Sequence, residues 1–102
     1  MRELFQSWGQ WATAQFPNQT SLGKVNHLKK EVVELSESIE SGQIDVVEIA
    51  DCFGLLFSIC DIENISYETI CATIQTKLEE NKSRVWPNKP NPDGSFSHVK
   101  PQ

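Results

Sequence analysis

Residues 29–60 read KKEVVELSESIESGQIDVVEIADCFGLLFSIC, a stretch that divides at Ser41-Gly42 into two segments of opposite character. Upstream, Leu22, Val25, Leu28, Val32, Leu35 and Ile39 recur at spacings of three and four, which predicts an amphipathic helix over about 22–41. Thr20 or Ser21 can cap its start, and Gly42 is suited to end it. Downstream, Asp45 can cap a second helix over about 46–62, and eleven of the fifteen residues from Val46 to Cys60 are apolar. A helix apolar all round is a buried helix. Each segment nevertheless carries two acids three residues apart: Glu31 and Glu34 in the first, Glu48 and Asp51 in the second.

Side chains three apart on a helix lie side by side, so each pair can close on one ion. Taken alone, Glu31 and Glu34 equally describe a solvated face, with Lys30 and Glu34 as an i,i+4 pair. The second pair changes the balance, because an isolated buried carboxylate costs more than a small domain can spare. The thirteen residues between Glu34 and Glu48 suffice to finish one helix, turn and return antiparallel, so that the pairs face each other. Four converging carboxylates repel unless a cation binds them. Oxygen ligands without His or Cys favour Mg²⁺, with Mn²⁺ as a substitute. A salt-bridged structural cluster is the plainer alternative.

Two further helices complete an all-α, four-helix reading. The first covers about 3–15, where Leu4, Phe5, Trp8, Trp11, Ala12 and Gln15 form a stripe that ends at Phe16-Pro17. The last covers about 67–84, capped by Ser66, with Tyr67, Ile70, Cys71, Ile74 and Leu78 expected to face inward. Lys77, Asn81 and Arg84 continue that line at i, i+4 and i+7. Two cations and an amide on an inward stripe suit a polyphosphate, although basic residues also suit a helix C-terminus. From Pro87 on, four of the five prolines and a Pro-Asp-Gly turn mark a change of character. The expected organisation is therefore a helical domain over 1–86 and an extended C-terminal tail over 87–102.

Composition narrows the function classes. The net charge of −5 argues against a nucleic-acid partner, which needs clustered Lys and Arg. No apolar run is long enough to span a bilayer, and MRELFQSWGQW lacks the form of a signal peptide, so a cytoplasmic protein is expected. Cys52, Cys60 and Cys71 lie in apolar stretches without metal-type spacing and read as small core residues. A ferritin-like di-metal bundle would use Glu-x-x-His pairs, and neither histidine follows a glutamate by three.

Glu31-Val-Val-Glu34 followed by Glu48-Ile-Ala-Asp51 resembles the ExxE…ExxD signature of the MazG-like all-α nucleoside triphosphate pyrophosphohydrolases. Lys77…Asn81-Lys82-Ser83-Arg84-Val85-Trp86 is similar to the segment that follows it in that family, and PDGSFSHV to the tail of a short bacterial and phage subgroup. The resemblance spans most of residues 20–86. It implies a Mg²⁺-dependent conversion of a (d)NTP and water to a (d)NMP and pyrophosphate, with a preference for purine deoxynucleotides. Glu31, Glu34, Glu48 and Asp51 would be metal ligands, one of them also the proton acceptor for water; Lys77, Asn81 and Arg84 would contact phosphate. A non-catalytic nucleotide binder of the same fold is the alternative.

Phe5, Trp8, Trp11 and Trp86 are candidate faces for a nucleobase as well as candidate core, and the resemblance puts Trp8 and Trp11 first. His27 shares a stripe with Glu31 and Glu34; it either supports a carboxylate, touches the nucleotide, or is a partly exposed polar residue near a helix start. His98 has no helical partner. Phe53, Leu56, Phe57 and Cys60 need more cover than three neighbouring helices provide, which predicts a homodimer or homotetramer.

Overall fold

The computed structural model describes residues 1–100. It contains four helices: α1 (Arg2–Gln15), α2 (Ser21–Glu40), α3 (Val46–Ile62) and α4 (Tyr67–Ser83). Each expected helix is present, with ends displaced by no more than one residue. No helix among the described residues is long and apolar enough to cross a membrane.

The helix ends follow from local chemistry. Thr20 caps α2, its hydroxyl accepting from the Gly23 N–H at 3.0 Å. The Asp45 carboxylate caps α3 by accepting from the Val47 N–H at 3.0 Å. The Ser66 hydroxyl accepts from the Thr69 N–H at the start of α4. The α2–α3 connection is a pinned turn. Gly42 sits at φ 83°, where a Cβ is disfavoured. Ser38 donates to the Gln43 carbonyl at 3.1 Å and accepts from the Asp45 N–H at 2.6 Å. So short a connection makes α2 and α3 antiparallel neighbours, and it holds Glu48 opposite the α2 acids.

The chain forms two compact units, Met1–Ile70 and a second that begins at Cys71. In the first, α3 is the central element, packed against both α1 and α2. Phe5, Ala12, Leu55 and Cys60 form its buried apolar core, with Ser58 fully enclosed. Phe5 meets Phe57 and Tyr67 edge-on at 5.3 and 5.6 Å between ring centroids. The α1–α3 contact is set by glycine: a Cβ on Gly54 would overlap the Trp8 indole, and one on Gly9 would press on the Asp61 carboxylate. Asp61 in turn accepts from the Thr13 hydroxyl at 2.8 Å.

Two features differ from the sequence reading. Half of the expected α2 stripe, Leu22, Val32 and Ile39, is exposed, whereas Val25, Leu28 and Leu35 are half-buried. The inward face runs through these three with Lys24, Glu31 and Ser38, which are buried or half-buried. The face follows the acids and the turn-forming serine, leaving part of the apolar stripe outside. Second, α4 carries no buried residue: Cys71, Ile74 and Leu78 are exposed in the single chain, so Cys71 is not a core thiol, whereas Cys60 is.

In the second unit the expected extended tail doubles back. Asn91 and Gly94 close a turn, the Val99 N–H donates to the Val85 carbonyl at 2.7 Å, and His98 meets the Trp86 ring at 5.9 Å. The Trp86 indole N–H donates to the Asn81 carbonyl at 2.8 Å. Residues 101–102 of the expected tail lie outside the described residues.

The Gly54–Trp8 contact predicts that Gly54→Ala destabilises the protein. Overpacking of about 1–3 kcal/mol outweighs the roughly 0.5–1 kcal/mol that alanine gains in a helix. At about 4–8 °C per kcal/mol for a domain of this size, the unfolding midpoint should fall by several degrees. Trp8→Phe in the same chain should recover part of the loss, a coupling that a double-mutant cycle measures. An unchanged midpoint in Gly54→Ala would show that α1 and α3 are not held this closely.

Candidate active site

The α2–α3 hairpin brings three of the four sequence-selected acids together. Ligand-capable oxygens of Glu31, Glu34 and Glu48 all lie within 4.8 Å of one another. Asp51, one turn on from Glu48, stands outside this group and lines the adjoining cavity beside Glu31. Glu31 and Glu48 are half-buried and Glu34 is exposed, so the group lies at the rim of the helix contact.

The electrostatics are unbalanced. Glu31 Oε1 lies 3.2 Å from Nε2 of His27, which is exposed. Glu31 Oε2 and Glu48 Oε2 are buried without a hydrogen-bond partner. Burial and the close carboxylates of Glu34 and Glu31 push Glu48 up to about 7. Burial and the charges of Glu31, Asp51 and Glu48 also push up the thiol of Cys52. Oxygen-only donors, two of them buried and unpartnered, fit a hard divalent cation, which would satisfy those oxygens and offset the repulsion.

Beside the acids is a cavity of about 170 Å³ lined by Trp8, Trp11, Phe16, Lys24, His27, Glu31, Asp51, Leu55 and Ser58. Trp8, Trp11 and His27, selected from sequence, are thus all on its wall. Trp11 meets Trp8 and Phe16 edge-on at 5.8 and 5.6 Å. Ser58 is tied to the helix, donating to the Gly54 carbonyl at 3.1 Å.

Lys24 was not legible as a site residue, because lysines are rarely buried. It is only 8% exposed, with its ammonium 4.1 Å from the centroid of the Phe16 ring. The available signal was spacing: Lys24 stands seven residues, two helical turns, before Glu31.

Lys77, Asn81 and Arg84 lie in the second unit. Arg84 bonds the Glu80 carboxylate at 2.7 Å and Asn81 Oδ1 at 3.3 Å, and Lys77 lies 3.8 Å from Glu80. Glu80, which the sequence reading passed over, is the acid common to both cations.

A carboxylate cluster beside an aromatic-walled cavity on an all-α scaffold suits a divalent cation and a flat ligand. The chain belongs to the dATP/dGTP pyrophosphohydrolase family, whose model matches residues 4–102. A dATP/dGTP diphosphohydrolase of Salmonella phage PMBT28 is 33% identical over 89 residues, 87% of this chain. The chain spans only 28% of that relative's length. Among solved structures, a cyanophage S-2L MazG-like pyrophosphohydrolase, bound to dGDP and three catalytic Mn²⁺ ions per active site, superposes with a TM-score of 0.76. It is 23% identical, and the match covers 96% of this chain and 95% of that one.

The raised pKa of Glu48 makes metal-free stability depend on pH. Between about 4.5 and 7 the native state holds a proton that the unfolded chain has released. The contribution of this group is therefore fully present below pH 4.5 and is lost as pH rises through 7. With chelator present, the melting temperature of the wild type relative to Glu48→Gln should fall across that window. Parallel profiles for the two proteins would show that Glu48 titrates normally.

Proposed function

We propose that the protein is a divalent-metal-dependent pyrophosphohydrolase that converts a purine deoxynucleoside triphosphate and water to the monophosphate and pyrophosphate. The observation that carries this reading is the convergence of Glu31, Glu34 and Glu48, with buried unpartnered oxygens, beside an aromatic-walled cavity. Family membership and the names of the relatives support the same chemistry.

Glu31, Glu34, Glu48 and Asp51 would hold Mg²⁺ or Mn²⁺. A cation held there would neutralise charge on the triphosphate and lower the pKa of a water. The protein's own part is positioning. His27 orients Glu31 through the 3.2 Å contact. Glu48, held near 7 by its neighbours without metal, would give up that proton as the cation binds. Trp8 and Trp11 offer flat faces to a base. Lys77, Asn81 and Arg84 are assigned to phosphate on the motif they share with the family.

A homo-oligomer is part of the proposal. Val46, Val47, Phe53 and Leu56 of α3 are all exposed in the single chain, more apolar surface on one central helix than a small soluble domain leaves uncovered. Sedimentation at micromolar concentration should find a dimer or tetramer, and a stable monomer would remove this part.

The deciding experiment is pyrophosphate release from a panel of NTPs and dNTPs with Mg²⁺, with Mn²⁺ and with chelator. Release should require metal and favour purine deoxynucleotides. Glu48→Ala should lower kcat/KM by more than about 100-fold, the upper range for losing a mere support of a metal ligand. Metal-dependent binding of nucleotide without release would instead identify a nucleotide-binding protein.

A further inference from the structure

We propose that Lys24 is a phosphate ligand, its ammonium donating to an oxygen of the phosphate joined to the sugar, whichever purine the nucleotide carries. The assignment rests on the nucleotide reading of the cavity. A lysine only 8% exposed ordinarily has a carboxylate or carbonyl partner. The Lys24 ammonium has neither among the described residues. It lies 4.1 Å from the centroid of the Phe16 ring, and a ring face attracts a cation without accepting a conventional hydrogen bond. Its N–H donors are therefore left for a ligand. Burial pushes its pKa below the ordinary 10.5, the direction expected of a cation without a counter-charge.

The rest of the wall indicates the chemistry of that ligand. The titratable groups that share the cavity with Lys24 are His27, Glu31 and Asp51. Glu31 contacts His27 at 3.2 Å, and neither carboxylate forms an ion pair with Lys24. Seven residues separate Lys24 from Glu31, about 10 Å along α2 at roughly 1.5 Å per residue. Lys24 also lines an adjoining cavity of about 220 Å³ with Phe16, Gln19, Thr20, Gly23 and His27, which offers no carboxylate either. A divalent cation held by Glu31 and Asp51 would reverse the local charge and leave metal and ammonium facing one cavity. An anion that both can hold then fits between them, and phosphate oxygens suit a lysine point charge and a hard cation alike.

The cavity, of about 170 Å³, is walled by Trp8 and Trp11 as well as by the acids. In a space this small that also receives a base, the phosphate within reach is the one joined to the sugar. A contact with phosphate is blind to the base, in agreement with a family named for both dATP and dGTP. A contact with position 6 would instead meet an acceptor in guanine and a donor in adenine.

The test weighs the phosphate separately from the base. Binding of dAMP and deoxyadenosine, and of dGMP and deoxyguanosine, is followed by tryptophan fluorescence with Mg²⁺ present. The wild type should bind each monophosphate more tightly than its nucleoside. Lys24→Met should narrow that gap by about 10-fold or more, the worth of a hydrogen bond to a charged group. The factor should be the same for both bases, with nucleoside affinity kept within about 3-fold. Lys24→Arg, which keeps the charge and donors, should retain most of the gap. Nucleosides and monophosphates weakened alike would overturn the assignment in favour of a base contact or a structural role, and so would a gap that Lys24→Met leaves unchanged. Lys24→Gln gives the same comparison if Lys24→Met fails to fold. A wild type that binds dAMP no more tightly than deoxyadenosine overturns the assignment without any variant.

Turnover supplies the second arm. In Lys24→Met, kcat/KM for dATP and dGTP should fall by one common factor, and a loss confined to one of them would overturn the assignment. If no nucleotide releases pyrophosphate but Lys24→Met still narrows the monophosphate gap, the phosphate contact stands while the hydrolase reading fails. Metal-dependent release with an unnarrowed gap keeps the hydrolase reading and removes Lys24 from the site.

Discussion

The rest of the first unit is organised around a repulsion. Glu31, Glu34 and Glu48 place ligand-capable oxygens within 4.8 Å of one another at the edge of a helix contact. In a half-dry site, like charges this close cannot all persist, and the chain's own response is to raise Glu48 to about 7. The remaining structure sustains this unfavourable contact. Thr20 and Asp45 fix where α2 and α3 start. Ser38 ties the turn between them from both sides. The buried face of α3 against α1, closed on Gly54 and Trp8, keeps the helix from sliding away from the acids. Strain of this sort, held by unrelated packing, is the usual mark of a site rather than of a core.

The wall of the cavity beside the acids carries two chemistries: the carboxylates of Glu31 and Asp51, and Trp8, Trp11, Phe16 and Lys24. His27 lies between Lys24 and Glu31 along α2 and contacts Glu31.

Much of the fold was legible from the sequence. The four helices, the caps at Thr20, Asp45 and Ser66, and the breaks at Pro17 and Gly42 rest on local backbone chemistry, which operates within a few residues. The acid pairs were legible because charge inside an apolar run contradicts burial and demands an explanation. Lys24 was not, because it sits in a polar first turn where a lysine looks ordinary; only the packing of Phe16 over it makes it unusual. The rotation of α2 was also hidden. Its apolar residues cover a wider arc than one neighbour can bury, so periodicity alone left the inward direction open, and Leu22, Val32 and Ile39 fell outside.

By itself, then, the sequence determined which segments are helical, where they end, and which four carboxylates can act in pairs, since each depends on spacing along one helix. Only the tertiary structure decided which three of those carboxylates meet, which face of α2 turns inward, and that a buried lysine lines the same cavity as Glu31 and Asp51. The physical reason is that a helix sets the axial order of its side chains by its own hydrogen bonds, whereas its rotation about that axis is set by what it packs against. Here that is Gly54 meeting Trp8 between α3 and α1, and the packing of α2 on α3 across a five-residue turn held by Ser38.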